Sequence, residues 1–300
     1  GDSLAGEIGV HTNFHGNVAS TPIVRGLSGP RVLITQNSLD VSDVSRVGPD
    51  HSVATEVSTA EQVEVLRGPA TLFFGSGAIG GVVNVVDKRV PTDTETAGEW
   101  LLSRDSVNDQ ELASFNVNTG TGSVAFHADG FWRESSDYDV PVSPEIDEDH
   151  GERSVESTAE ESEGYTFGTS YMLDNGYVGF SYGSLEREYG IPGHAHGEEE
   201  HEGEHEDEHE DEHEHEHEEG EHEEEMVTLG LEQDRYQLIS ELSLDHAFIS
   251  TLNTRMAYTD YTHTEFENGS VGTTFANKTG EAKVELLHQS IGDWHGGIVF

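Results

Sequence analysis

Three stretches of this chain carry side chains of the types that hold divalent cations. The first is Asp50 and His51, in the "PDH" of a Gly/Pro-bounded loop. The second is "DYTHTEFE" at 260–267, where His263 and Glu265 stand two apart and on a strand would share one face. The third is "GHAH" at 193–196, which leads into "HEDEHEDEHEHEHEEGEHEEE" at 205–225. Nine imidazoles belong to that region: His194, His196, His201, His205, His209, His213, His215, His217 and His222. Imidazole nitrogens beside carboxylate oxygens point to a bare divalent ion. Each stretch also has a plainer reading: an Asp-His turn as a hydrogen-bonded loop pair, a strand His or Glu as a solvated side chain, the tract as an acidic spacer. Within the tract, His201, His205, His209, His213 and His217 recur every four residues and would line one face of a helix. The Glu and Asp between them repel at that same spacing, so a disordered loop that orders on metal binding is expected.

The elements that must position these groups fall into two textures. Residues 1–92 carry short β-branched runs separated by Gly and Pro ("TPIVRGLSG", "RVLITQNSLD"), which predict a compact α/β unit of short strands. From 97 to 300 the segments lengthen and alternate with period two. Val124, Phe126, Ala128 and Trp132 oppose Ala125, His127, Asp129 and Arg133, and Tyr165, Phe167, Tyr171 and Leu173 oppose Thr166, Gly168 and Ser170. Leu252, Met256 and Tyr258 likewise oppose Arg255, Thr259, His263 and Glu265. Long strands with one apolar and one polar face predict a transmembrane antiparallel β-barrel, lipid outside and water inside, though a soluble β-sandwich has the same period. Tight turns at 119–122, 174–176, 245–248 and 290–293 alternate with longer links at about 138–162, 191–230 and 267–275. Short turns on one side and long loops on the other fit an outer-membrane barrel, and this places the His/Glu tract (about 191–230) at an extracellular loop tip.

Composition removes several function classes. Fourteen Lys and Arg against 60 Asp and Glu give −46, a charge that repels nucleic acid and attracts cations. There is no cysteine, hence neither a disulfide framework nor a thiolate metal site. No apolar run approaches the ~20 residues of a membrane helix, which leaves a barrel open. The chain opens on "GDSLAGEIGV" without Met and stops in "DWHGGIVF", and it reads as part of something longer. No nucleophile-base-orienter set appears, so no enzyme is expected. "HEDEH" has the spacing of H-E-x-x-H, but in low-complexity sequence.

"EQVEVLRGPATLFFGSGAIGGVVNVVDKR" at 61–89 and "TPIVRGLSG" at 21–29 closely resemble the plug-domain signatures of TonB-dependent outer-membrane receptors. The Gly-rich run lacks the order of a phosphate-binding P-loop. The resemblance implies a barrel of about 22 strands closed by an N-terminal plug. Residues 1–92 would be the later plug and 97–300 the first eight or nine strands, with the segment contacted by TonB preceding residue 1. It also implies a place in the bacterial outer membrane, with its lipid outside the wall, and energy from TonB and its inner-membrane complex. The ligand-bearing stretches, with "NKTGEAKVELLHQSIGDWHGG", resemble the zinc-importing branch of these receptors. That branch implies zinc as transported ligand, with no organic cofactor, held by Asp50, His51 and Glu265; His263 joins them from its place on the same strand face. Zinc's roughly tetrahedral preference for imidazole nitrogen and carboxylate oxygen suits this set. Nickel, copper, a siderophore or haem as cargo, or a surface metal-binding protein without transport, are the rival readings.

Overall fold

The computed structural model describes residues 4, 6–48, 50–141, 153–192, 226–290 and 292–300. It opens with an antiparallel pair, β1 (Val10–Phe14) and β2 (Ser20–Val24). A four-stranded mixed sheet follows, built from β3 (Val32–Gln36), β4 (Leu39–Asp40), β5 (Gln62–Leu66) and β6 (Gly81–Val86) in the order β4-β3-β6-β5. Its centre is the parallel pair β3 and β6, "VLITQ" and "GVVNVV". Both runs are buried almost throughout, as expected of strands covered on two faces. Its helical pieces include 3-10 turns at Gly29–Arg31, Gly68–Phe74 and Ser76–Ala78.

The rest is one antiparallel meander of nine strands. It runs through β7 (Ala97–Arg104), β8 (Glu111–Thr121) and β9 (Val124–Ser135), with a small hairpin of β10 (Tyr138–Asp139) and β11 (Ser154–Val155) set aside. It continues through β12 (Glu160–Leu173), β13 (Gly176–Gly190), β14 (Val227–Ser243), β15 (Ile249–Glu267), β16 (Ser270–His288) and β17 (Gly297–Val299). Each strand pairs with its neighbour in the chain, and β9 pairs with β12. No described helix is long and apolar enough to cross a membrane, which says nothing of strands.

The faces of this wall are inverted relative to a soluble sheet. Gln233, Arg235 and Gln237 on β14, and Thr259 and His263 on β15, are buried against the first unit. Phe126, Phe167, Tyr171, Phe180 and Met256 are exposed on the other face. A polar interior with an apolar exterior is the pattern of a barrel in lipid and rules out the sandwich reading. Tyrosines also cross the outer face in one band: Tyr165, Tyr182, Tyr236 and Tyr258 follow one another on β12 to β15 at ring separations of 6.1, 4.9 and 6.3 Å. Such aromatic girdles mark the membrane–water boundary.

The first unit packs into the polar face. Val44 and Ala54 join Phe131, Leu185, Leu231 and Tyr261 of the wall in one apolar cluster. The Asp40 backbone N–H donates to Glu281 Oε2 on β16 at 2.8 Å.

One expected long link is absent. Instead of a loop over 267–275, β15 and β16 are joined by Asn268 and Gly269 alone, with Glu267 opposite Ser270. Both turn residues have positive φ, 49° and 75°. That is the geometry a two-residue hairpin turn demands and that Asn-Gly supplies. Beside it the register slips, so that Glu265 faces Thr273 and Phe266 faces Val271, leaving Gly272 unpaired.

Candidate metal centre at the plug–wall seam

The loop between β4 and β5 carries Asp50 and His51 to the wall. Two backbone bonds shape its tip, Val47 N–H to Val44 O at 2.8 Å and His51 N–H to Gly48 O at 3.4 Å. Gly48 is the residue that sequence reasoning missed. A Cβ there would lie 2.5 Å from Asp50 Oδ1 and 2.9 Å from His51 Nε2, so carboxylate and imidazole both fold back over the space that the absent side chain leaves. A side chain at 48 would push both groups aside, and the signal in the sequence is no more than "GPDH".

Across the seam stands His263, 3% exposed on the inner face of β15. The rings of His51 and His263 meet edge-on with centroids 4.8 Å apart. His51 Nδ1 is buried without a hydrogen-bond partner. His263 Nε2 lies 3.4 Å from Tyr189 Oη on β13. Two imidazoles from different elements, one with an orphaned nitrogen, thus meet beside a carboxylate. Glu265 shares the His263 face, half-buried, and makes no hydrogen bond or ion pair among the described residues. The structure brings together Asp50, His51 and His263 and leaves Glu265 one pleat away, beside the register slip. Among the described residues no three His, Asp or Glu side chains enclose an ion-sized point as they stand.

A few residues further along the chain, the same segment is fixed to the wall by charge. Glu56 accepts from Arg133 at 2.9 Å and pairs with Arg187 at 3.5 Å. Glu160 pairs with the same arginines at 3.3 and 3.4 Å. Burial pushes the Glu56 carboxyl up, but the two guanidiniums outweigh it and hold the group below its ordinary value. Asp43, deeper in the loop, accepts hydrogen bonds from Ser45 and Ala54, yet burial pushes its carboxyl up overall.

The nine imidazoles His194, His196, His201, His205, His209, His213, His215, His217 and His222 lie outside the described residues. Of the scattered histidines, His127 is buried between Asn118 Oδ1 (2.9 Å) and Asp129 Oδ2 (2.7 Å). His246, His288 and His295 are each engaged in local hydrogen bonds.

Residues 1–82 match the family model described as TonB-dependent Receptor Plug Domain. The curated relative "Probable TonB-dependent siderophore receptor PirA" of Acinetobacter baumannii is 50% identical over 44 residues, 15% of this chain and 6% of that protein. Among solved structures, a mutant of the ferric enterobactin receptor PfeA from Pseudomonas aeruginosa superposes with TM-score 0.66 at 15% identity, covering 95% of this chain and 43% of that one. The copper transporter OprC gives TM-score 0.71 at 13% identity, covering 97% and 41%. The chain spans less than half the length of these proteins. At such identity the structural likeness speaks for the fold, a plug set in the wall of a barrel.

Proposed function

We propose that this chain, a portion of a TonB-dependent outer-membrane receptor, captures a bare divalent cation, zinc, at the seam between plug and wall for import into the cell. The observation that carries the reading is the meeting of His51 with His263 at 4.8 Å beside Asp50, with His51 Nδ1 buried and unpaired. Two imidazole nitrogens and a carboxylate oxygen are three of the four ligands of a tetrahedral zinc site, and Glu265, two residues along the same face, is the fourth donor within the strand's reach. The acidic chain draws cations toward the mouth, and the nine-histidine tract holds several of them weakly nearby. The ion then passes to Asp50, His51 and His263. TonB, energised from the inner membrane, displaces the plug and opens the way inward. No covalent chemistry is involved.

Copper(II) is the second reading, because nitrogen sites generally bind it more tightly than zinc. Uptake by cells carrying the full-length receptor, with zinc, copper and nickel in competition, tests the assignment. Zinc uptake that resists excess nickel and is lost in the Asp50→Ala, His51→Ala double variant supports it. Uptake that follows copper, or a metal chelate, in preference to zinc overturns it, and so does zinc accumulation that does not depend on TonB.

A further inference from the structure

Tyr189, at the outer end of β13 and 2% exposed, belongs to none of the three ligand-bearing stretches. Its phenol oxygen accepts the Ser52 backbone N–H at 2.7 Å and faces His263 Nε2 at 3.4 Å. With Ser52 on its acceptor side, the phenol's single proton is the group that can point at the imidazole nitrogen. At 3.4 Å that second contact is long and weak, whereas the first is short. Two residues back on the same face, Arg187 donates to Ser52 Oγ at 2.7 Å and to Val53 O at 3.1 Å. Strand β13 therefore grips plug residues 52–56 through two side chains, and Tyr189 is the one that also reaches the histidine pair.

We propose that Tyr189 is a positioning residue that reports occupancy of the metal centre to the plug. This rests on the capture reading above. With the centre empty, Tyr189 aims the His263 ring and clamps Ser52. A cation bound through His263 Nε2 at about 2 Å falls in the gap between nitrogen and phenol. The phenol proton then faces a positive charge, so the ring turns away and the Ser52 N–H loses its acceptor. Arg187 continues to hold the Ser52 side chain and Val53, and Glu56 stays in its ion pairs. Loading thus frees the Ser52 amide alone, which loosens the plug segment without releasing it.

Hydrogen exchange resolved to single amides, on the full-length receptor in detergent with and without saturating zinc, tests this. Zinc should speed exchange at Ser52 by about 5-fold, the equivalent of one net hydrogen bond, and leave the amides near Glu56 unchanged. In Tyr189→Phe the Ser52 amide should exchange at the faster rate with or without zinc. Zinc affinity in that variant should rise by up to about 5-fold, since binding no longer has to displace the phenol from Ser52. Zinc binding without any change at Ser52 overturns the coupling and leaves the capture reading standing. An affinity loss of about 10-fold or more in Tyr189→Phe overturns it too, because the phenol would then support the bound ion, as an outer-shell partner or a ligand, instead of giving way to it. A wild-type receptor that binds no zinc overturns both.

Discussion

The plug meets the wall in two places a few residues apart in the chain, and they differ in the groups that meet. In one, Glu56 and Glu160 share Arg133 and Arg187, and Arg187 reaches on to Ser52 and Val53, although its Nε, 3.4 Å from Glu160, lacks a well-formed hydrogen bond. In the other, a buried imidazole nitrogen of His51 has no partner, and the rings of His51 and His263 touch edge to edge. Leaving a buried polar atom unsatisfied costs about 1–3 kcal/mol. Paired charges hold plug and wall together, whereas facing imidazoles leave nitrogens open to a ligand. On the proposed reading, fixation and capture are divided along one plug segment.

That division can be broken experimentally. Asp50→Ala with His51→Ala should weaken zinc binding by more than about 100-fold in calorimetric titration, beyond the 10–100-fold that follows loss of an outer-shell partner. Thermal unfolding should hardly move, because these side chains are not part of the ion-pair network. Glu56→Gln should do the reverse. It leaves two guanidiniums short of charge in a buried place, a loss of about 3–5 kcal/mol that appears as protease sensitivity of the plug, with zinc affinity little altered.

Gly48→Ala sharpens the contrast, since it pushes a methyl group into the space shared by Asp50 and His51. We expect zinc affinity to fall by about 10-fold and stability by only about 0.5 kcal/mol, because the side chains it strikes are free at their far ends. Acidification should then act on both contacts. Protons compete with zinc for its imidazole and carboxylate ligands, so binding weakens as pH falls. Glu56 is held below its ordinary 4.5, so its contribution is complete above that pH and disappears as pH falls further, where plug amides should begin to exchange. The smallest effect belongs to deletion of 198–225. Affinity at the tight centre should stay within about 2-fold, a free-energy change under about 0.5 kcal/mol, and uptake should drop only when zinc is scarce. Loss of the tight centre on this deletion would show that capture and storage are one site.

The wall was legible because side chains on a strand alternate with period two, so Phe126 against His127 and Tyr258 against Thr259 declare the two faces without any tertiary knowledge. Asp50, His51 and His263 were legible as donor types within loop and strand contexts. The ion-pair network was not. Arg133 and Arg187 are 54 positions apart in the chain, and only register puts both opposite Ser162, on either side of β12. Gly48 matters through the atoms it lacks, and Tyr189 through a backbone N–H that no composition reveals. The Asn268–Gly269 turn was misread for a different reason. The polar, Gly-containing stretch around it looked like a loop, although Asn-Gly between alternating runs is a hairpin signal.

That turn shapes how a solute approaches. Between β15 and β16 the chain reverses within two residues, Asn268 and Gly269. The rim is therefore low where His263 and Glu265 stand, four residues or fewer from the hairpin's closing pair at Glu267 and Ser270. A small hydrated ion arriving from the side has a sill to cross there, with no long segment of β15 or β16 to part first.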